Sequence, residues 1–312
     1  MAKTLRLEST APFQGLPELV AYDEGLFAAE GLEVKWIKRG QNAPKAVDQS
    51  ITSWAGISPF LSHGSSVESG DVDKAAMYNA CEWGNYKRVE ETKEDARQLG
   101  RRAIVVYGAL IVPPWSDVFT PQQLANKTVA LPYFAGTHYL GLLMLEGFLP
   151  REAIRTCLGP NGIEPVYKAM MNGEVDATVV VEPYITVAEK AGCRIICMAP
   201  YHGTEVATDE VDADTYGRFT RAVHEAVRRI GADKRKYMQY FINHYRWDPE
   251  VAALTVDDLP PGRLQVAEPS PIPPEEMERT RQWMISWDLL QPQTTADRLV
   301  DLGRQETAHK QP

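Results

Sequence analysis

AYDEGLFAAEGLEV, Ala21 to Val34, decides how this chain is to be read. Two glycines six residues apart interrupt a helical pattern, and the second runs straight into LEVKWI, a strand pattern. A glycine just past a helix takes the left-handed conformation that ends it. Gly25 therefore closes one helix, LFAAE makes one further turn, and Gly31 releases the chain into a strand. Pro17 suits a first helical turn, which predicts a helix over 16–24. Ahead of it, KTLRLES alternates like a half-buried strand. The loop between strand and helix, STAPFQG, then lies at the strand's carboxyl end, where open α/β sheets bind ligands.

Working outward, APKAVDQSI predicts a short helix, ITSWAGI a strand and SPFLSHG a turn. DKAAMYNAC predicts a strand, and the polar run EWGNYKRVEETKEDARQLG a surface excursion. RRAIVVYGALIV is apolar enough for a central strand. TPQQLAN has Thr120 as N-cap and Pro121 at the first helical position. KTVALP, VDATVVV and CRIICMA predict strands; THYLGLLMLEGF, EPVYKAMMNG and PYITVAEKAG predict helices. From about Thr215 the pattern is mostly helical, with PSPIPPEE (269–276) as a rigid connector. Strands alternating with helices imply parallel βαβ units in open sheets. Two such series, 1–80 and 103–199, point to two lobes: 1–105 with 202–312, and 106–201.

The chain has 312 residues, 44% hydrophobic and 24% charged, an ordinary globular composition. Its formal charge of -9 argues against a nucleic-acid partner, which leaves a basic footprint. No segment approaches the apolar length of a membrane span. MAKTLRLEST lacks the apolar core of a secretory signal, so the sequence as it stands reads as cytoplasmic, or as periplasmic or extracellular if its start is engineered. Cys81, Cys157, Cys193 and Cys197 form no CxxC pair and read as reduced thiols, with Cys193 and Cys197 on one buried strand. The six histidines show no metal-binding spacing, there is no phosphate-cradling loop, and no metal or cofactor is expected.

Four stretches, in order, resemble the type II periplasmic-binding-protein fold, in the branch of sulfonate, taurine and nitrate binding proteins and thiamine-pyrimidine synthases. They are AYDEGLFAAEGLEV, TPQQLANKTVALP, MNGEVDATVVVEPYITVAEKAG and TYGRFTRAVHEAVRRI, and the likeness extends over most of residues 3–290. The resemblance implies a two-lobed α/β protein, each lobe an open, mostly parallel sheet flanked by helices, with a helical C-terminal region. It also implies an interlobe ligand cleft. Thr10 and Gln14 then fall at the first helix's N-terminus, where free N–H groups favour an anion. Gly136, Thr137 and His138 fall at a matching helix start, with Tyr133 beside them as a stacking surface. Ser58, Glu182, Tyr184 and His202 fall at other strand ends or near the return to the first lobe.

Two functions remain open at this level. One is an importer-type solute-binding protein, closing by hinge motion on a small anionic or planar organic ligand, with an ABC permease as its partner. The other is a cytosolic enzyme reusing the cleft, as a lyase, decarboxylase, desulfinase-like or pyrimidine-synthase-like protein, with Cys81, Glu82, His138 and His202 as candidate reactive groups. The sequence departs from both specific enzyme types. The cysteine-rich motif of the pyrimidine synthases is absent, STAPFQG lacks the desulfinases' cysteine, and Ser53 stands where they have an arginine. A ligand-sensing domain reporting to a partner is a third possibility.

Overall fold

The structure is a computed structural model that describes residues 2–40, 44–69 and 73–309. It opens with β1 (Lys3–Glu8), α1 (Pro12–Asp23), α2 (Leu26–Ala29) and β2 (Leu32–Ile37). Gly25 and Gly31 both have φ 72°, so each glycine makes the left-handed exit that the sequence calls for. The expected helix start at 16 moves forward to Pro12, and the helix bends at Gly15 (φ −136°, ψ 33°). A Cβ at Gly15 would overlap the Thr10 side chain, so the loop and the bend are packed as one unit.

β3 (Met77–Cys81) and α3 (Glu82–Glu91) follow, then the 17-residue β4 (Ala96–Val112). The expected surface excursion is therefore corrected: α3 is a buried helix and Ala96 already belongs to β4. Its polar composition misleads because fully buried Arg88 finds acceptors in Pro59 O, Ser62 Oγ and Phe134 O at 2.8–2.9 Å. β5 (Thr128–Leu131), α4 (Gly136–Glu146), β6 (Arg155–Leu158), α5 (Ile163–Met171), β7 (Ala177–Val181), α6 (Tyr184–Lys190) and β8 (Arg194–Thr208) complete the alternating part. TPQQLAN condenses to a 3₁₀ turn, Pro121–Leu124, with the expected cap at Thr120. β6 was not expected; at four residues it is too short to show alternation. Cys193 lies just before β8, and Cys197, within it, is half-buried rather than buried.

Two other expectations fail. Residues 44–51 form no helix, and ITSWAGI forms no strand (Ala43 lies outside the described residues). This segment instead bridges to the sheet edge through Asp48 and Leu158. The helical remainder comprises α7 (Ala213–Ala232), α8 (Lys234–His244), α9 (Pro249–Ala252), α10 (Pro274–Ser286), α11 (Ala296–Leu299) and α12 (Leu302–His309), with the two-residue β9 (Gln265–Val266) between α9 and α10.

The strands lie in the order β2-β1-β3-β8-β4-β7-β5-β6, with β9 against β4. β1 pairs in parallel with β2 and β3, and β5 with β6 and β7. The antiparallel β4 and β8 run through both groups and break register between Arg101 and Val105, opposite Thr204 and His202. Along β4 successive side chains enter opposite cores: Ala109 and Ile111 one, Leu110 and Val112 the other. Helices cover both faces. The carboxyl ends of β1, β2, β5 and β6 consequently open onto a cleft between the two parallel groups.

Candidate functional site

The cleft encloses about 380 Å³. Ala11, Phe13 and Gln14 enter it from the start of α1, Ala135, Gly136 and Thr137 from the start of α4, and Gly162, Ile163 and Glu164 from the start of α5. Three helix N-termini thus meet at one cavity, each a source of unpaired N–H groups and partial positive charge. The amides of Phe13, Gly136, Thr137 and Ile163 have no acceptor among the described residues. Gly136 is required by a close approach: a Cβ there would stand 2.5 Å from the Tyr201 hydroxyl oxygen.

Side chains add to this donor array. Arg39, just past β2, lines the cleft and is held by the buried Glu8, whose Oε1 lies 3.2 Å from Arg39 Nε. Glu8 also accepts from Gly64 N and from Ser66 N and Oγ, tying the loop after Pro59–Leu61 to β1. His63, from that loop, places Nε2 2.7 Å from Gln14 Oε1 and Nδ1 2.9 Å from Ser62 Oγ. Burial, then the charges of Arg39, Arg88 and Arg102, hold the His63 pKa well below the usual histidine range. The imidazole is therefore neutral, Nε2–H donates to Gln14, and the Ser62 hydroxyl donates to Nδ1. Arg39 Nη2 also reaches Gln14 Oε1, at 3.4 Å, so the oxygen is taken up while the amide N–H groups of this cleft-lining residue have no acceptor among the described residues. Phe13, Val179, Val181, Tyr201, Tyr245 and Trp247 supply the apolar wall.

Behind the wall lies Arg102, fully buried, with no hydrogen-bond partner for its three nitrogens among the described residues. It leaves β4 at the register break and packs on Gly203, where a Cβ would overlap the guanidinium; its Cζ is 6.0 Å from the Tyr201 ring centre. Glu18 and Glu205 are buried nearby, and burial raises both carboxyls, Glu18 to about 7.

Of the residues singled out from sequence, Gln14, Gly136 and Thr137 line the cleft. Thr10 lies beneath it, donating to Asn79 Oδ1 at 3.1 Å. Ser58 caps a second 3₁₀ turn, Pro59–Leu61, through Phe60 N. Tyr133 donates to Ile51 O and packs on Trp54. His138 is fully buried among Trp54, Tyr133 and Tyr139, accepts from Phe134 N, and burial lowers its pKa to about 3. Glu182 pairs with Arg263 at 3.0 Å and caps Thr186, Tyr184 donates to Asp248, and His202 sits at the β4–β8 register break away from the cleft wall. Cys81 caps α3, and burial raises its thiol. Glu82 accepts from Tyr86, and burial raises its carboxyl. These groups satisfy internal structure. Sequence reasoning passed over Arg39, His63, Ile163, Tyr245 and Trp247, which carry no motif and meet only in the folded chain.

No protein-family model matches the chain, and no curated protein sequence matches it. Solved structures do. The alkanesulfonate-binding protein SsuA from Xanthomonas axonopodis pv. citri, bound to MOPS, superposes with TM-score 0.67 at 15% identity, over 96% of this chain and 97% of that one. The periplasmic aliphatic sulphonate-binding protein SsuA from Escherichia coli gives 0.66 at 13%, over 96% and 92%.

This chain has the periplasmic-binding-protein fold.

The desulfurization enzyme DszB shares the binding-protein fold too, with TM-score 0.60 at 14% identity over 98% of this chain and 99% of that one. Among the described residues no helix of this binding-protein fold is long and apolar enough to cross a membrane, and no cluster of His, Cys, Asp or Glu could hold a metal ion.

Proposed function

We propose that the chain binds a small organic acid anion, of the sulfonate or carboxylate class, in the interlobe cleft, as the solute-binding component of an ABC-type importer. The observation that carries this reading is the meeting of three helix N-termini with Arg39 and the free Gln14 amide at one cavity. The three helix starts, Arg39 and the Gln14 amide all offer donors, which suits an acid that only accepts, and the Glu164 carboxylate that also lines the cleft is paired with Lys168. The apolar wall of Phe13, Tyr201, Tyr245 and Trp247 suits a hydrocarbon or planar remainder. Residues 1–105 and 202–312 form one lobe in this reading, 106–201 the other, and closure buries the ligand between them. The structures of two sulfonate-binding proteins of the same fold support the ligand class. Two reactive candidates of the enzymatic alternative stand away from the cleft: Cys81 is buried with its thiol raised, and His138 is enclosed in the core.

The test is calorimetry and native mass spectrometry with MOPS and a panel of alkane- and arylsulfonates and carboxylates. One-to-one binding with the compound recovered unchanged is expected. Failure of every acid to bind, or consumption of one beyond protein equivalents, would overturn the reading.

A further inference from the structure

The segment joining β2 to β3 does not stay with its own strands. From the first parallel group it crosses to β6, the opposite edge of the sheet. Asp48 N donates to Leu158 O and Leu158 N to Ile51 O, both at 2.9 Å, forming an antiparallel bridge. Asn161 N donates to Pro44 O at 2.8 Å, and Asn161 Nδ2 to Leu61 O at 3.0 Å. Gln49 Nε2 reaches Glu174 O, and Tyr133 OH reaches Ile51 O. The anchoring point matters because Asn161 and Gly162 of the β6–α5 turn, with the first residues of α5 to Val166, line the cleft. The same segment ends in Ser62 and His63, which line it from the other side.

We propose that residues 44–62 act as a strap that fastens one lobe to the other across the cleft, so that ligand enters and leaves when the strap detaches from β6. This rests on the cleft being the ligand site. Lobe rotation alone cannot open the cavity while these bonds hold, since they tie the edge of one parallel group to the connection of the other. Apart from the 3₁₀ turn Pro59–Leu61 the segment has no regular secondary structure, which marks it as a unit that opens locally at lower cost than the sheet. Its Trp54 packs against Trp287 at 6.2 Å and His138 at 5.2 Å, giving the detached and attached states different fluorescence.

Residues opposite each other across an antiparallel bridge lie at disulfide range, so Asp48→Cys with Leu158→Cys makes a reducible clamp. Cys157→Ala removes the adjacent native thiol. In the full chain, the oxidised clamp is expected to slow MOPS association and release about tenfold or more, as gating by a loop requires. The reduced form of the same protein is the control and keeps the faster rates. Equal rates in the two forms would overturn the strap. If no acid of the panel binds even the reduced protein, the ligand reading fails separately, and ligand-free hydrogen exchange still tests the strap. The amides of Asp48, Leu158 and Asn161 should exchange together and well before those of Val179 and Val180 in β7. Protection equal to that of β7 would overturn it.

Discussion

His63 Nε2 lies 2.7 Å from Gln14 Oε1, and this contact fixes both the imidazole tautomer and the direction of the Gln14 amide. The cleft thereby gains a donor that neither residue would present alone. Gln14→Glu replaces that donor with a negative charge in a cavity suited to anions. Affinity for MOPS, or for whichever acid the panel selects, should fall about tenfold or more, in line with the 1.5–3 kcal/mol of a hydrogen bond to a charged group. Unchanged affinity by calorimetry would mean that Gln14 does not touch the ligand.

Arg39 supplies the cleft's own full positive charge and also neutralises buried Glu8. Arg39→Met should therefore weaken acid binding by about tenfold to a hundredfold and lower stability by about 1–3 kcal/mol, because Glu8 loses its cationic partner. Binding isotherms and urea unfolding separate the two effects. A loss of stability with full affinity would assign Arg39 to structure alone.

Gly136 approaches Tyr201 so closely that Gly136→Ala forces the tyrosine or the α4 start to move. The expected result is weaker binding, with partial recovery in Gly136→Ala combined with Tyr201→Leu, whose shorter side chain clears the space. A double-mutant cycle in affinity gives the answer: strictly additive losses would show that the two positions do not collide.

The Glu18 carboxyl is raised from 4.5 to about 7, chiefly by burial. A raised acid means that the folded state holds the proton more tightly than the unfolded one. Below about pH 4.5 both states are protonated and the group costs nothing; as pH climbs toward 7 the unfolded chain ionises first and stability falls. Over that window the loss is on the order of 3 kcal/mol. Glu18→Gln keeps an oxygen to accept from Asn79 and should flatten the decline, measured by urea unfolding at pH 5 and pH 8. An identical decline in wild type and variant would assign the pH dependence elsewhere.

Arg102 makes the opposite prediction to most buried residues. Its guanidinium is enclosed with no hydrogen-bond partner among the described residues, and Glu18 and Glu205 attract it without touching it, so Arg102→Met should leave stability unchanged or raise it by about 1–3 kcal/mol. A marked fall in the unfolding midpoint would mean that the attraction of Arg102 to the buried Glu18 and Glu205 outweighs the cost of enclosing its charge.

By itself the sequence determined the βαβ alternation and the glycine exits at Gly25 and Gly31, because these depend on periodicities of 2 and 3.6 and on one residue type that tolerates positive φ. It also placed Gln14, Gly136 and Thr137 at helix starts, where local capping rules operate. It misread residues 44–57 and 82–100, whose structure depends on partners far along the chain: Asp48 needs Leu158, and Arg88 needs Phe134 O. Only the tertiary structure decided that Arg39, His63, Ile163 and Trp247 share one cavity. It alone withdrew His138 and Cys81 into the core as well. The physical reason is that burial and convergence are set by packing across the sheet, and no spacing along the chain encodes which side of a strand end will face the cleft.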